Sequence, residues 1–312
     1  MIKQSFKALG TKINLTIFDD VSDYILVETR RLVTNYENRL TVNRDHSEVV
    51  SINQNAGIRP VKVSLDTFFL IQQAVQASQL GLGFNVAIGP LVKLWQIGFE
   101  GAHKPEKKAI EAVITQINPE NIILNKAQCS VFLTKKGMAL DLGGIAKGYI
   151  ADCIKTIWLK NHIKSGIIDL GGNILLVGQH LSDNQAWRIG IQNPSDLRHK
   201  VVGYIRTSAC AIGTSGIYER RLIVGNRTYH HMFDSQTGFP IENSLASVTI
   251  VSKLSIDGEI WSTIAFYQGL EAGKRLVESL PNIEAIFITK QNEVVLTCLL
   301  YTSPSPRDGA TS

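Results

Sequence analysis

Three segments of the chain combine residue types that could act on a phosphorylated ligand. The first, DLGGIAKG from Asp141 to Gly148, puts an acid, glycines and Lys147 at a predicted strand-to-helix turn. Glycines let a ligand approach the backbone, and the N-terminus of a helix offers free N–H groups and a positive dipole to a phosphate. The spacing matches neither a P-loop nor a dinucleotide fingerprint. An Asp cap on a glycine-rich turn is an equally good interpretation.

The second segment, HHMFDSQTGFP from His230 to Pro240, brings an imidazole, a carboxylate and a tight turn close together. His231 could contact a phosphate or a ring, and Thr237 and Gly238 could offer hydroxyl and amide donors to an anion. A buried histidine with a backbone partner is more often structural, so both interpretations stay open.

The third segment, DGEIWST, opens a predicted helix at Asp257. Glu259 and Thr263 are four residues apart, so their oxygen atoms share one helix face. Such hard oxygen ligands suit Mg²⁺, which takes few protein groups and completes its octahedron with phosphate and water. An acidic first turn that complements the helix dipole is the alternative. The sequence contains no nucleophile elbow, HExxH motif or Cys/His zinc set, which argues against hydrolases and zinc enzymes.

The elements that position these segments are predicted to form a single α+β unit. A strand pair turns near Gly10, residues 41–55 have the polar composition of a loop, and the final segments before residue 297 form a hairpin. Apolar spacings of three and four predict helices at 21–40, 65–80, 105–117 and 145–160, then one from about Asp257 and a second ending at Leu280.

Composition restricts the class of protein. The 312 residues carry a net charge of +5 and are 44% hydrophobic, as in an ordinary globular protein, so disorder, collagen and disulfide scaffolds are excluded. No block of Lys or Arg concentrates the charge, so we expect no nucleic acid partner. No apolar run approaches the ~18 residues of a membrane span, and we expect no membrane anchor. Three cysteines before residue 298 form no CxxC pair, which favours a reducing, cytoplasmic location.

The C-terminal residues need separate treatment. The run CLLYTSPSPRD, which begins at Cys298, matches one reading frame of a transposon-based sequencing adapter. We therefore expect the domain to comprise residues 1–297 and residues 298–312 to be a non-native tail.

Eight segments, taken in order, resemble the FAD:protein FMN transferase family, the ApbE-type flavin transferases. They are ALGT (Ala8 to Thr11), SEVVSINQNAG (Ser47 to Gly57), FNVAIGPLVKLW (Phe84 to Trp95), DLGGIAKGYIAD (Asp141 to Asp152), DLGGNI (Asp169 to Ile174), TSGIYER (Thr214 to Arg220), HMFDSQTGFP (His231 to Pro240), and ASVTIVS with the DGEIWST helix. The resemblance covers nearly all of residues 1–297.

The resemblance implies an α+β fold related to the T-fold, a single unit with mixed, largely antiparallel sheets covered by helices. It implies an enzyme that binds FAD and Mg²⁺, attaches FMN through a phosphoester bond to a Thr or Ser of an acceptor flavoprotein, and releases AMP. The acceptor would carry a DGx(S/T)GAT-like segment.

The resemblance also implies roles for individual residues. The metal ligands would be the Gly144 carbonyl, Glu259 and Thr263. The catalytic residues would be His231, Asp257 and Glu259. The FAD-binding residues would be Leu9, Asn43, Gly83, Phe84, Asn85, Asp141, Lys147, His231 and Thr237.

The chain departs from the family pattern at three of these positions. Glu259 replaces a more usual Asp, so Asp257 could share its role, and Asn85 stands where Asp is frequent. Asn43 stands where many members carry an aromatic residue that can stack on flavin and shield intermediates from water. Asn43 therefore leaves open a Mg²⁺-dependent FAD pyrophosphatase that gives FMN and AMP. The altered metal helix leaves open a flavin-binding protein without turnover.

Overall fold

The computed structural model describes residues 1–180, 186–195 and 200–297, so the expected non-native tail, residues 298–312, lies outside the described residues. The α-helices there are α1 (Tyr24–Leu40), α2 (Glu48–Gln54), α3 (Leu65–Gln79), α4 (Gly89–Trp95), α5 (Lys107–Ile114), α6 (Ala146–Lys160) and α7 (Ser255–Glu278). The strands are β1 (Ile2–Ala8), β2 (Thr11–Ile17), β3 (Val61–Lys62), β4 (Ile122–Asn125), β5 (Ser130–Leu133), β6 (Ser165–Leu170), β7 (Ile174–Gly178), β8 (Trp187–Gln192), β9 (Val201–Thr207), β10 (Ala211–Gly216), β11 (Arg221–Val224), β12 (Arg227–His230), β13 (Leu245–Ser252), β14 (Glu284–Thr289) and β15 (Val294–Leu296).

Eight strands form the main sheet, in the order β1-β2-β6-β7-β10-β13-β14-β15 with antiparallel pairing. Successive side chains of a strand point to opposite faces of its sheet. On β7, Leu175 and Val177 join the largest core cluster, whereas Leu176 joins a separate cluster with Trp187. Both faces of the sheet are therefore buried.

Helices and a hairpin cover these two faces. α6 and α7 pack on one face, where Ile154, Ile260 and Ile264 belong to the main core. The β8–β9 hairpin covers the other face through Trp187 and Ile191. A smaller sheet, β3-β5-β4, adds Val131 to the main core. The expected α+β class with largely antiparallel sheets covered by helices is confirmed.

α6 and α7 are held together at their N-terminal ends. The Asp152 carboxylate of α6 accepts hydrogen bonds of 2.9 Å from the backbone N–H groups of Ser255 and Ile256, which satisfies two free donors of α7. A Cβ at Gly148 would lie 2.5 Å from the Ser255 carbonyl oxygen, so only glycine permits this close approach. The contact brings Lys147 next to the first turn of α7.

The observed elements follow the predicted ones in most places, but α2 and α4 were not predicted, and an isolated bridge at Ala139 precedes Asp141 where a strand was expected. Residues 41–55 contain α2, which was expected to be loop: Ser47 caps it by accepting from Val50 N at 2.9 Å, and Val49 and Ile52 are buried. The two helices predicted from Asp257 to Leu280 are confirmed as the two parts of α7, which meet at a kink at Gly269, where φ is 74° and the backbone is not helical. In the described part of the chain, no helix is both long and apolar enough to traverse a bilayer.

Candidate active site

A buried carboxylate, that of Glu259, lies where α6, α7 and the β6–β7 turn meet, and only 8% of the residue is exposed. Its Oε1 accepts from Lys147 Nζ at 3.0 Å and from Asn173 Nδ2 at 2.5 Å. Ser255 Oγ donates to Asn173 Oδ1 at 2.6 Å, which turns the amide nitrogen toward Glu259. Two of the predicted residues, Lys147 and Glu259, are thus in direct contact.

The other oxygen of Glu259 and the Thr263 hydroxyl, which are four residues apart on α7, are hard oxygen atoms of the kind that bind Mg²⁺. Lys147 and Asn173 both donate to Oε1, and among the residues that the structure describes no hydrogen bond reaches Oε2. Thr263 Oγ1 lies one turn along α7, 3.2 Å from Ser215 Oγ. Among the described residues, no group of three or more His, Cys, Asp or Glu side chains could hold a metal ion. Mg²⁺ held mainly by phosphate and water needs fewer protein ligands, and this oxygen set fits it.

Asp257, the neighbouring acid, has a different environment. It lies in the first turn of α7 and is partly buried, and burial raises the pKa of its carboxyl group. Burial also raises the pKa of Asp152, and the charge of Asp257 adds to that increase. The charge of Asp257 therefore acts on the capping carboxylate of α6, whereas Glu259 contacts Lys147 and Asn173.

Asp141 and Gly144 lie in the turn before α6, which follows an isolated bridge between Ala139 and Ile88 and not the expected strand. Asp141 Oδ1 accepts from Gly143 N at 2.7 Å. Burial raises the pKa of Asp141, while this hydrogen bond and the positive charges of Arg220 and Lys93 oppose the increase. Gly144 is exposed, and a Cβ there would lie 3.6 Å from Phe84 Cε2. The turn thus lies against Phe84, with positive charge nearby.

Arg220 joins the β1–β2 turn to the histidine segment. A Cβ at Gly10 would lie 4.0 Å from the Arg220 guanidinium, whose carbon is 6.0 Å from the centre of the Phe99 ring. His231 Nδ1 lies 3.4 Å from the Arg220 carbonyl oxygen. Since that oxygen can only accept, Nδ1 carries the proton and Nε2 is left as an acceptor.

The charge state of His231 follows from this position. Burial, then the positive charge of Arg220, lowers the pKa of His231 from 6.5 to about 4, and Lys147 contributes in the same direction. The imidazole is therefore neutral at pH 7, with two cations near it. A neutral imidazole can take up a proton, and the cations can hold an anion.

A cleft of about 580 Å³ lies between residues 42–54, α4 and residues 137–139. Its lining includes Arg44 and Lys93, which supply positive charge, together with His46 and Asp45. Lys93 also acts on Asp141, which connects the cleft to the charged cluster. Asn43 is exposed at the edge of the cleft, between the lining residues Val42 and Arg44, and its backbone N–H donates to Thr41 Oγ1 at 3.2 Å.

The Gly83–Asn85 segment is fixed by packing and hydrogen bonds. A Cβ at Gly83 would lie 2.5 Å from Tyr267 Cβ, and Phe84 is buried. Asn85 Nδ2 donates to the Ile117 carbonyl at 2.8 Å and to Ser235 Oγ at 3.1 Å. An aspartate at position 85 could not make these two donations, so the asparagine ties this segment to the turn that contains Thr237.

Two turns hold the remaining predicted residues. In the β1–β2 turn, Leu9 and Gly10 both have positive φ, and Leu9 N donates to Glu37 Oε1 at 2.7 Å. Glu37 Oε2 pairs with Arg44 at 3.2 Å, so Leu9 is linked to the cleft through an ion pair. Thr237 is exposed and its hydroxyl donates to Asp234 Oδ2 at 3.1 Å.

Sequence reasoning missed Asn173 and Arg220 as members of the site. Both lie in segments that carry the family resemblance, DLGGNI and TSGIYER, and that was the available signal. Their roles depend on contacts across the fold, because Asn173 and Glu259 are 86 positions apart.

The fold and the site define an α+β protein with a basic cleft suited to a phosphorylated ligand. A family model described as "ApbE family" matches residues 9–287. The chain belongs to the ApbE family, as the sequence segments indicated.

Curated relatives and a solved structure extend this match. A FAD:protein FMN transferase of Klebsiella pneumoniae is 40% identical over 279 residues, which cover 89% of this chain and 86% of that protein. A FAD:protein FMN transferase of Treponema pallidum is 34% identical, and the match covers 86% of this chain and 78% of the relative. The crystal structure of the ApbE protein from Thermotoga maritima superposes with a TM-score of 0.88 at 25% identity, covering 96% of this chain and 98% of the other. The relatives are named as transferases, a class of enzymes.

Proposed function

We propose that this chain is a FAD:protein FMN transferase. A Ser or Thr hydroxyl of an acceptor flavoprotein attacks the FMN-side phosphorus of FAD. A new O–P bond forms, the bond from that phosphorus to the bridging oxygen breaks, and AMP leaves with that oxygen. The observation that carries the proposal is His231, whose Nδ1 lies 3.4 Å from the Arg220 carbonyl oxygen and whose pKa is lowered by burial and by the positive charges of Arg220 and Lys147. The family and the curated relatives support it.

His231 is the base in this reaction. Its Nδ1–H faces the Arg220 carbonyl, so Nε2 takes the proton of the acceptor hydroxyl. Lys147 and Arg220 stabilise the negative charge that develops on the pyrophosphate as AMP leaves. Of the two acids proposed to be catalytic, Glu259 holds Lys147 in position, and Asp257 contributes negative charge at the same helix end.

FAD occupies the cleft and the adjoining turns. Leu9, Asn43 and the Gly83–Asn85 segment surround the flavin and adenine, while Asp141, Lys147, His231 and Thr237 lie toward the phosphates. Arg44 and Lys93 add positive charge along the cleft, which favours a ligand with a dianionic pyrophosphate.

Glu259, Thr263 and the Gly144 carbonyl are the residues that would hold Mg²⁺. The ion would neutralise charge on the pyrophosphate oxygens. Asn173 and Lys147 both donate to Oε1 of Glu259, which leaves Oε2 available as a metal ligand. This arrangement favours Glu259 over Asp257 as the main acidic ligand.

Replacing Glu259 tests this assignment. We expect Glu259→Ala to abolish Mg²⁺-dependent AMP release, because it removes the carboxylate from the oxygen set and leaves Lys147 without its partner. Asp257→Ala, at the other acid of the same turn, is the matched control and should keep a larger part of the rate. Unchanged AMP release in Glu259→Ala would refute the metal assignment.

Labelling of an acceptor tests the transferase function. The full chain is incubated with FAD, Mg²⁺ and a flavoprotein domain that carries a DGx(S/T)GAT-like segment, and the denatured products are separated on a gel. We expect a fluorescent band of covalently bound FMN at the acceptor. No band with an acceptor that a known family enzyme labels would contradict the proposal.

A FAD pyrophosphatase remains the second candidate, favoured by the exposed Asn43 at the edge of the cleft. Water would then replace the acceptor hydroxyl, and the products would be FMN and AMP. Chromatography of FAD incubated without acceptor distinguishes the two reactions, because a strict transferase leaves FAD intact. An Asn43→Tyr variant should suppress any such hydrolysis, since an aromatic ring there would cover the flavin.

We also propose a cytoplasmic location. Cys129, Cys153 and Cys210 are free thiols, as expected for a reducing compartment.

A further inference from the structure

The β11–β12 hairpin, Arg221–His230, begins and ends at the candidate active site. Arg220 directly precedes its first strand and His231 directly follows its second strand. These two residues are joined by the contact of 3.4 Å between His231 Nδ1 and the Arg220 carbonyl. The base of the hairpin is therefore fixed where the acceptor hydroxyl must arrive.

The hairpin is anchored on its inner side. Leu222 and Tyr229 are cross-strand partners, and both pack against the cluster around Trp95. The strands are joined by Gly225 and Asn226 alone, with Gly225 at φ 57°, as at the first position of a type II′ turn. A short turn and a packed inner face make the hairpin a fixed platform.

The outer part of the hairpin is exposed and apolar. Ile223 is 66% exposed and Val224 is 42% exposed. Among the described residues β11 and β12 pair only with each other, so each strand keeps one unpaired edge. Such an edge accepts an extended peptide as an added strand, and apolar side chains beside it give that peptide contact area.

The exposed charge on the hairpin is positive. Arg221 and Arg227 are exposed, and the ion pairs found among the described residues include neither of them. Lys104 adds a further cation, 5.9 Å from the centre of the Tyr229 ring. An acidic polypeptide complements this surface.

We propose that the β11–β12 hairpin is the docking surface for the acceptor polypeptide. The occupant is an extended segment with acidic and apolar side chains beside its Ser or Thr hydroxyl, paired with a free edge of the hairpin. The hairpin then delivers the hydroxyl to His231 at its base. This inference rests on the proposed transferase function and adds the surface that selects the acceptor.

The test compares two double variants of the full chain. The first double variant, Ile223→Ser with Arg227→Glu, alters the hairpin. The matched control, Ile123→Ser with Lys126→Glu, makes the same changes of residue class at two other exposed positions, one on β4 and one directly after it. FMN transfer is measured against the concentration of the acceptor domain, and FAD affinity is measured by flavin fluorescence. We expect the hairpin variant to raise KM for the acceptor about tenfold or more with unchanged FAD affinity, and the control to match the wild type.

Each outcome bears on one claim. An unchanged KM in the hairpin variant, with a wild type that labels the acceptor, overturns the docking surface and leaves the transferase function standing. A wild type that labels no verified acceptor contradicts the function itself, and the docking surface falls with it. If the double variant fails to bind FAD, the exposed single change Arg221→Glu replaces it, and an unchanged KM there also overturns the proposal.

Discussion

His230 and His231 are adjacent in the sequence, but their rings have different partners. His230 Nε2 donates to the Ile241 carbonyl at 2.9 Å and Nδ1 accepts from Met232 N at 3.3 Å, so both nitrogens are used inside the fold. Among the described residues, the ring of His231 makes a hydrogen bond through Nδ1 alone, at the Arg220 carbonyl oxygen. The sequence shows two histidines, and only these contacts separate a structural imidazole from one that can exchange a proton.

Replacing His231 should therefore remove catalysis more than binding. We expect His231→Gln to lower the rate of FMN transfer by roughly 10²- to 10⁴-fold, the usual contribution of a general base. Flavin fluorescence should show FAD affinity within a few-fold of the wild type. His103→Gln, at an exposed histidine, is the control. A transfer rate near that of the wild type in His231→Gln would remove His231 from the mechanism.

Burial of His230 predicts how stability depends on pH. Its pKa is lowered from 6.5 to about 4, chiefly by burial. The unfolded chain therefore binds more protons than the folded chain between these values, and the free energy of unfolding decreases as pH falls through that window. From pH ~7.5 to pH ~5 we expect His230 to account for a loss of about 2 kcal/mol, and His231 to act in the same direction.

Urea unfolding at the two pH values measures this loss. His230→Gln, which has no imidazole to protonate, should be less stable at neutral pH but lose less stability on acidification. An equal loss in the variant and the wild type would show that His230 does not cause it.

At the scale of elements, the site depends on how α6 meets α7. The residues of DLGGIAKG and DGEIWST were predicted to open two helices, and they do, but the sequence does not state that the two helix starts touch. Asp152 makes that contact by capping the start of α7, and Gly148 permits the close approach of the two helices. Neither role is visible before the chain is folded. Without this contact, Lys147 would not reach Glu259.

A methyl group at Gly148 should disturb this contact. In Gly148→Ala the new Cβ would meet the Ser255 carbonyl oxygen at 2.5 Å and Ile256 Cα at 2.8 Å, so the helices must separate. We expect a loss of about 1–3 kcal/mol in the free energy of unfolding, the usual result of overpacking, and a lower rate of AMP release. Gly203→Ala is the control, since a Cβ there meets nothing within 4 Å. Equal stability of the two variants would contradict the close packing.

Local patterns predicted most elements, and the exceptions have physical reasons. α1 and α3 have long apolar spacings, and β6, β7 and β14 are apolar runs bounded by turns. α2 was missed because seven residues provide only two buried positions, Val49 and Ile52, within a polar segment. Asn85 is expected at the ligand, and its amide nitrogen also makes two hydrogen bonds within the fold that a sequence pattern does not contain.

At the scale of the whole molecule, one sheet carries the site and both of its faces are covered. The turns at one set of strand ends, with α6, α7 and the β11–β12 hairpin, bring together groups from distant parts of the chain, as when Lys147 meets Glu259 112 positions away. The α+β class and the ApbE family could be predicted from ordered motifs. The cleft and the contacts of Arg220 with the β1–β2 turn and His231 could not be predicted, because they arise from segments that meet only after folding.

The most direct test of the account measures AMP and protein-bound FMN in one reaction of the full chain with FAD, Mg²⁺ and the acceptor domain. The account predicts equal amounts of the two products, and neither product when the acceptor hydroxyl is removed by a Ser or Thr to Ala change. AMP accompanied by free FMN, with no FMN on the acceptor, would contradict a transferase and identify a pyrophosphatase.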